Sequence, residues 1–192
     1  MNIFYLHNDP QICAQQHADK HVIKMILEYC QLLSTAHRVI DGTESTGKSA
    51  TGRIMRRWVL PDDREGKLYK ATHINHPSAI WVRKSYANYV FLWKLLDALC
   101  TEYTYRYGKV HKCQESGLVE ELMYTPLNIP AHVEFTEPTP AMPDEVKIAG
   151  SSIKSYHNYY INNKQHLAKW SGKINSRNVP EWFSSKCLPN NC

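Results

Sequence analysis

Six polar residues interrupt an otherwise apolar stretch of this 192-residue chain: His17, His21, Lys24, Glu28, Gln31 and Thr35. The steps between them are 4, 3, 4, 3 and 4, so on a helix their side chains stack along one face. Around them Val22, Ile23, Met25, Ile26, Leu27, Tyr29, Cys30, Leu32, Leu33 and Ala36 cover most of the circumference. A helix that is apolar nearly all round is buried on most sides, and unpaired polar groups inside a protein are costly. The stripe must therefore face a polar network, a water-filled cleft or solvent. Each member has a chemical use. Glu28 can stabilise a developing cation or activate water. Lys24, set between two imidazoles and a carboxylate, is a candidate for a depressed pKa and for an amine nucleophile. His17 and His21 suit proton transfer near neutral pH. His37, His73 and His76 are candidates to join them in space. A plain solvated face and a metal site compete with the catalytic cleft. His17 and His21 can share one ion with His73 or His76 as third ligand. However, the chain has no H-E-x-x-H, and Asp19 falls about 180° from the stripe, so no metal is expected.

The stripe needs a helix, and the chain carries the signals for one from about residue 10 to 40. Asn8, Asp9 and Pro10 form a start, a capping side chain followed by a proline whose missing N–H costs nothing there. Gly42 ends it. Residues 41–53, rich in Gly, Ser and Thr, read as a flexible loop, and the basic stretch 54–72 as irregular with a short helix around "RIMRRWVL". Pro77 opens a second long helix that runs to Gly108, a natural C-cap, with Ile80, Tyr89, Leu92, Leu96, Leu99 and Tyr103 at helical spacing. A short helix is expected within 115–124. Residues 125–147 hold five prolines, which demands a segment ordered by docking or a linker. "SSIKSYHNYYINNKQHLAKW" is a third helical pattern, and "VPEWFSSKCLPNNC" reads as loop. The expected architecture is mostly α. It is a compact single-domain helical fold over residues 1–183 with a central buried helix and a Pro-rich extended segment, followed by a tail at 184–192.

Composition narrows the class. Hydrophobic residues make up 43% and charged residues 21%, enough to bury a core. No apolar run approaches the roughly 18–20 residues of a membrane span. "MNIFYLHNDP" lacks the n- and h-regions of a signal peptide, so a cytoplasmic protein is expected. The net charge of +5 tilts toward a polyanionic partner, and twelve Tyr and five Trp among the cations suit stacking on bases or, equally, an ordinary core. The six cysteines show no C-x-x-C spacing. Cys13, Cys30 and Cys100 lie in apolar helical patterns, where a thiol acts as a small hydrophobe.

"GTESTGKS" at 42–49 fits the phosphate-cradling pattern G-x-x-x-x-G-K-[ST]. A true P-loop needs an apolar strand before it and a helix after it. Here helical pattern precedes it and another glycine, Gly52, follows within a few residues. No nucleotide cofactor is expected.

"QQHADKHVIKMILEYCQLLSTAHR", "HPSAIWVRKSYANY" and "EYTYRYGKVHK" together resemble a small family found in phage and environmental sequences. More distantly, the chain resembles the endonuclease V-type pyrimidine-dimer DNA glycosylases, small basic helical enzymes. The likeness covers the N-terminal strand-plus-helix, the second long helix ending in a Tyr-Gly and basic turn, and an aromatic C-terminal tail. The resemblance implies a catalytic Glu on the first long helix. Aligning its Gln-His pair with Gln16-His17 places Lys24 at the Glu position and Glu28 one turn later. It also implies an α-amine nucleophile on a small residue exposed by removal of Met. Here Asn2 follows Met1 and leaves it in place, so a Lys24 Schiff base or water activated by Glu28 is the substitute.

These readings converge on a DNA glycosylase of the host cytoplasm, monomeric and without cofactor, that excises a damaged or modified base flipped from double-stranded DNA. Arg53, Arg56, Arg57, Lys67, Lys70, Arg83, Lys84, Arg106, Lys109 and Lys112 are the candidates to hold its phosphates. The alternatives are a non-catalytic phage DNA-binding accessory protein and a His-ligated metal-dependent hydrolase.

Overall fold

The computed structural model describes residues 1–48 and 50–187. The described chain is mostly α, with one two-stranded antiparallel sheet. A single cluster of buried apolar side chains extends from Ile3 to Phe183. No described helix is long and apolar enough to cross a membrane.

The first helical pattern is two helices rather than one. Helix α1 spans Pro10–Gln16 and α2 spans Asp19–Asp41. Asp9 caps α1 as its sequence demands, its carboxylate accepting from Ile12 N at 2.9 Å. The break falls at His17 and Ala18, both extended. Its cause is distant in sequence. The last carbonyls of α1 have no partners within the helix, and they are taken from outside. Arg106 donates to Gln15 O and His17 O, each at 2.9 Å, and Trp170 Nε1 donates to Gln16 O at 2.9 Å. His17 is thus the C-cap of α1 and does not stand on the helix that carries Lys24 and Glu28.

The expected loop and short helix after α2 are a β-hairpin. Strand β1 (Thr43–Lys48) pairs with β2 (Ile54–Val59) from Thr43↔Val59 to Lys48↔Ile54. "GTESTGKS" is therefore largely one strand of a ribbon whose other strand begins at Ile54, with no helix among the described residues 50–53 between them. Its Ser49 lies outside the described residues. Arg38, fully buried on α2, fixes the root of the hairpin. It donates to Trp58 O (3.0 Å), Tyr69 O (2.6 Å) and Leu68 O (2.9 Å) and pairs with Glu65. Glu65 lies on the single turn α3 (Arg64–Lys67).

The second long helix is also divided, into α4 (Pro77–Lys84) and α5 (Tyr86–Tyr107). Ser85 is extended, and its hydroxyl accepts from Asn88 N at 3.1 Å, a cap hidden inside a continuous apolar pattern. Gly108 ends α5 in the left-handed conformation (φ 64°), the C-cap read from the sequence. The turn after it delivers the short helices α6 (Lys112–Glu115) and α7 (Leu118–Glu121), and α6 packs against α2.

The Pro-rich segment is docked. Thr136 accepts from Trp81 Nε1 and from Asn88 Nδ2, and its N–H donates to Asn88 Oδ1 at 3.0 Å. Helix α8 (Ser152–Asn163) follows, its first N–H held by Glu137 at 2.7 Å. The stretch read as C-terminal loop contains α9 (Glu181–Cys187), which crosses the expected tail boundary. Trp182 stacks on His157 with 4.0 Å between ring centroids, and apolar stacking of this kind overrides a weak helical pattern. Residues 188–192 of the expected tail lie outside the described residues.

Candidate active site

The polar stripe meets three environments. At its start, His17 and His21 are sealed in protein. His17 Nδ1 donates to Cys13 O at 2.7 Å, and its Nε2 faces the Tyr29 hydroxyl at 3.4 Å. His21 is stacked on Phe4, with 4.2 Å between centroids, and is hydrogen-bonded through Nδ1 to the Tyr160 hydroxyl. Burial pushes the His17 pKa down to about 4 and that of His21 to about 3, with nearby positive groups adding to both shifts. Both rings are neutral at pH 7. At the far end, Thr35 is buried and bonded to the backbone of Thr72, receiving its N–H at 3.2 Å.

Between these closed ends, Lys24, Glu28 and Gln31 line a cleft of about 680 Å³. Ile23 and Leu27 give the α2 wall its apolar part. Tyr69 and the start of α6, with His111, Lys112 and Cys113, form the other wall. Lys24 Nζ stands 3.1 Å from Glu28 Oε1, and the Met1 amine nitrogen is 4.0 Å from Glu28 Oε2. The Lys24 side chain is 69% exposed while that of Glu28 is 13% exposed. One half-buried carboxylate thus sits between two primary amines at the edge of a partly apolar cleft. Lys24 stands in solvent rather than between imidazoles.

The "HINHP" loop completes the Met1 side. His76 caps α4 by accepting from Ser78 N at 3.2 Å. Its pKa is lowered by burial and by the Met1 amine and His73, against the pull of Glu28. His73 adopts φ 47°, an uncommon conformation for a residue with a side chain, and its ring is bonded to the Thr72 hydroxyl at 2.7 Å. His37 lies elsewhere, buried against Tyr89 OH (2.8 Å) and Arg64 Nη1 (3.0 Å).

Cys113, His111, Tyr69 and the Met1 amine were not among the expected site residues. The Cys113 thiol is pulled below its usual range by the Cys30 thiol, His111 and Tyr69, against the opposing effect of burial. The Tyr69 hydroxyl is 3.7 Å from Cys113 Sγ. The turn at Gly108 brings His111 and Cys113 to α2, a contact across some 80 residues that no local spacing announces. Among the described residues, no group of three or more His, Cys, Asp or Glu side chains is placed to hold a metal ion. Both ring nitrogens of His17 and Nδ1 of His21 face Cys13, Tyr29 and Tyr160 instead.

The ten candidate phosphate contacts separate by environment. Arg106 is a correction. It is wholly enclosed, and four of its five N–H donors go to Glu102, Asp19, His17 O and Gln15 O, so a phosphate at the surface cannot reach it. Arg83 donates to Ile74 O at 2.7 Å. Lys67 pairs with Asp63 and Glu121, and Lys70 with Glu65. Arg56 grips Glu44 through two bonds and lies 5.1 Å over the Trp58 ring. Lys84, Lys109 and Lys112 are exposed, and Lys112 lines the cleft. Arg57 is exposed on β2 and Arg53 on the connection between the strands. Comparison with protein-family profiles, curated proteins and solved structures gives no match for this chain.

Proposed function

We propose that the protein is a DNA glycosylase acting on a damaged or modified base of double-stranded DNA, with α2 as the central helix that carries its site. On this reading it works as a cytoplasmic monomer without metal or nucleotide cofactor. The single observation that carries the reading is the Glu28 carboxylate held between the Lys24 and Met1 amines at the wall of the cleft. An amine beside a carboxylate is the equipment for covalent displacement at a sugar carbon. The amine nitrogen forms a bond to C1′ as the C1′–N glycosidic bond breaks, and the base leaves with that electron pair. Glu28 accepts the proton lost by the amine. The amine lone pair then forms the C1′=N bond as C1′–O4′ opens, O4′ keeps that pair and takes the proton held by Glu28, and water hydrolyses the resulting imine. If neither amine attacks, Glu28 takes a proton from water, whose oxygen bonds to C1′ as the C1′–N bond breaks and the base leaves with that electron pair. The apolar wall of Ile23, Leu27 and Tyr69 favours a flipped base over bulk water. A purely DNA-binding role uses the surface cations but gives this half-buried carboxylate no task.

The test is borohydride trapping on a duplex carrying an abasic site, together with base release from ultraviolet-irradiated, alkylated and deaminated duplexes. A covalent adduct lost in Lys24→Ala identifies Lys24 as nucleophile. An adduct that survives Lys24→Ala but is lost on acetylation of the amine of a polypeptide beginning at Met1 identifies that amine. Base release without an adduct, abolished in Glu28→Gln, identifies activated water. Absence of both adduct and base release overturns the glycosylase reading.

A further inference from the structure

We infer that the β1–β2 hairpin is a rigid ribbon that enters the major groove of duplex DNA. The inference rests on the DNA-binding part of the proposed function and is separable from its chemistry.

The ribbon is an unusual object in a helical protein. Both strands are largely exposed, and beyond their mutual pairing they pack mainly against α2. A two-stranded hairpin is marginal in water without further support. Its support is concentrated at the root. Trp58 is buried, Arg38 holds the Trp58 carbonyl from inside α2, and Gly42 lets the chain pass close to Arg38 O and Val59 O, where a Cβ would collide. A root locked in this way projects the rest of the ribbon in a fixed direction, so little ordering is lost on binding.

Size and charge select the partner. Six-residue strands rise about 3.3–3.4 Å per residue and run about 4.8 Å apart, which gives a ribbon of roughly 20 Å in length. The major groove of B-form DNA, about 12 Å wide, admits a two-stranded ribbon as it stands, while the minor groove of about 6 Å would have to be widened to take one. Lys48, Arg53, Arg56 and Arg57 face one carboxylate on the ribbon, Glu44, and Arg56 neutralises it. The ribbon therefore presents net positive charge to a polyanion.

The two faces differ. Trp58 turns one face toward the body. The register places Thr43, Ser45, Arg57 and Val59 together on the other, with Ser45 directly opposite Arg57. All four are exposed. Arginine suits guanine O6 and N7, hydroxyls suit either base-pair type, and a valine methyl suits the thymine methyl. Arg57 is thus the base-reading residue, and Arg53 near the tip holds a phosphate.

Dimethyl sulfate footprinting on random-sequence duplex reads the two grooves separately. The expected result is protection of guanine N7, lost in Arg57→Ser. Protection confined to adenine N3, or no protection by a protein that binds the duplex, overturns the inference. Arg53→Ser is expected to reduce the slope of log K against log salt by about 0.9, one phosphate. An unchanged slope also counts against it. Both side chains are exposed, and an unchanged thermal midpoint confirms that each variant is folded. Base release by a protein that gives no guanine N7 protection sinks the ribbon alone. A footprint in a protein that releases no base and traps no adduct sinks the glycosylase reading and leaves the ribbon.

Discussion

The two histidines at the start of the polar stripe and the lysine–glutamate pair one to two turns later share one sequence pattern and meet opposite surroundings. His17 and His21 are enclosed by Cys13, Tyr29, Phe4 and Tyr160, under a roof made by Arg106. Lys24 and Glu28 open onto a cleft. A polar stripe on an apolar helix says that the stripe has partners. It does not say whether those partners are protein groups or water. The difference lies in what packs over each end. The N-terminal end is covered by aromatic side chains from residues 4, 156 and 160 and by an arginine 89 residues from His17. The middle is met by the small α6, by Tyr69 and by Met1, which leave space.

This contrast is broken most directly at Arg106. Its guanidinium pairs with the buried Glu102 and with Asp19 and takes the last carbonyls of α1. Arg106→Ala leaves the buried Glu102 with Arg177 as its remaining ion-pair partner and leaves the carbonyls of Gln15 and His17 without their donor, and each buried polar group so stranded costs about 1–3 kcal/mol. Chemical denaturation is expected to show that loss. A change below about 1 kcal/mol would mean that the closed end is not held as described.

Acid sharpens the comparison next. The folded pKa values of His17 (about 4) and His21 (about 3) lie below the ordinary histidine value of 6.5. Above that value neither state binds the proton, and the pair has no effect on stability. As pH falls below it, the unfolded chain takes up protons that the folded chain refuses. Stability is then lost at about 1.4 kcal/mol per pH unit for each histidine. His37, also lowered to about 4, adds to the slope. Between pH 6.5 and 5, before most carboxylates titrate, His21→Phe is expected to flatten the dependence by one histidine's share. An unaltered slope would show that His21 titrates freely and belongs to the open cleft.

Tyr160→Phe removes a smaller increment. The Tyr160 hydroxyl serves His21 Nδ1 and lies 3.5 Å from Ala18 N. Leaving a buried polar group without its partner costs about 1–3 kcal/mol, readable as a lowered denaturation midpoint at pH 7.

The sequence made the helical class, the Asp9–Pro10 start and the Gly108 stop legible, because each is a local signal with a local cause. It hid both helix breaks. His17–Ala18 breaks because Arg106 and Trp170 take carbonyls from far away, and Ser85 breaks inside an apolar pattern that runs on without interruption. It also hid the hairpin. β2 has Arg56 and Arg57 where an alternating pattern would put one polar residue, and β1 has no apolar residue at all. Cross-strand pairing and the Arg38 anchor form it instead. Of the site, Lys24, Glu28 and Gln31 were visible through period alone. The opposing His111 and Cys113 were not, since they lie some 80 residues on and are positioned by one turn, and Lys112 between them was legible only as a surface cation.

At the open end, stability and chemistry should come apart, and Glu28 shows the first degree of that separation. Its carboxylate is only partly buried and makes one close ion pair, so Glu28→Gln is expected to alter stability by no more than about 1 kcal/mol. Base release and trapping should nevertheless disappear, because an amide neither accepts the proton nor activates water. A loss of several kcal/mol would place Glu28 in the closed half of the stripe.

The smallest expected effect on stability belongs to Lys24, and it is the most diagnostic. Its side chain is 69% exposed, so its removal uncovers little and strands no buried donor. It precedes Glu28 by four residues, the less favourable order for a helical ion pair, because the charges run against the helix dipole. Lys24→Ala should therefore shift stability by no more than about 0.5 kcal/mol. Any loss of the borohydride adduct in this variant is then a loss of chemistry alone and assigns the nucleophile to Lys24. Retention of the adduct at an unchanged denaturation midpoint moves the assignment to another amine, either that of Met1, 4.0 Å away on the other side of the same carboxylate, or another lysine such as Lys112 on the opposite wall, and acetylation of the Met1 amine separates the two. A destabilisation above about 1.5 kcal/mol would contradict the separation itself, since a lysine standing in water has no buried partner to lose.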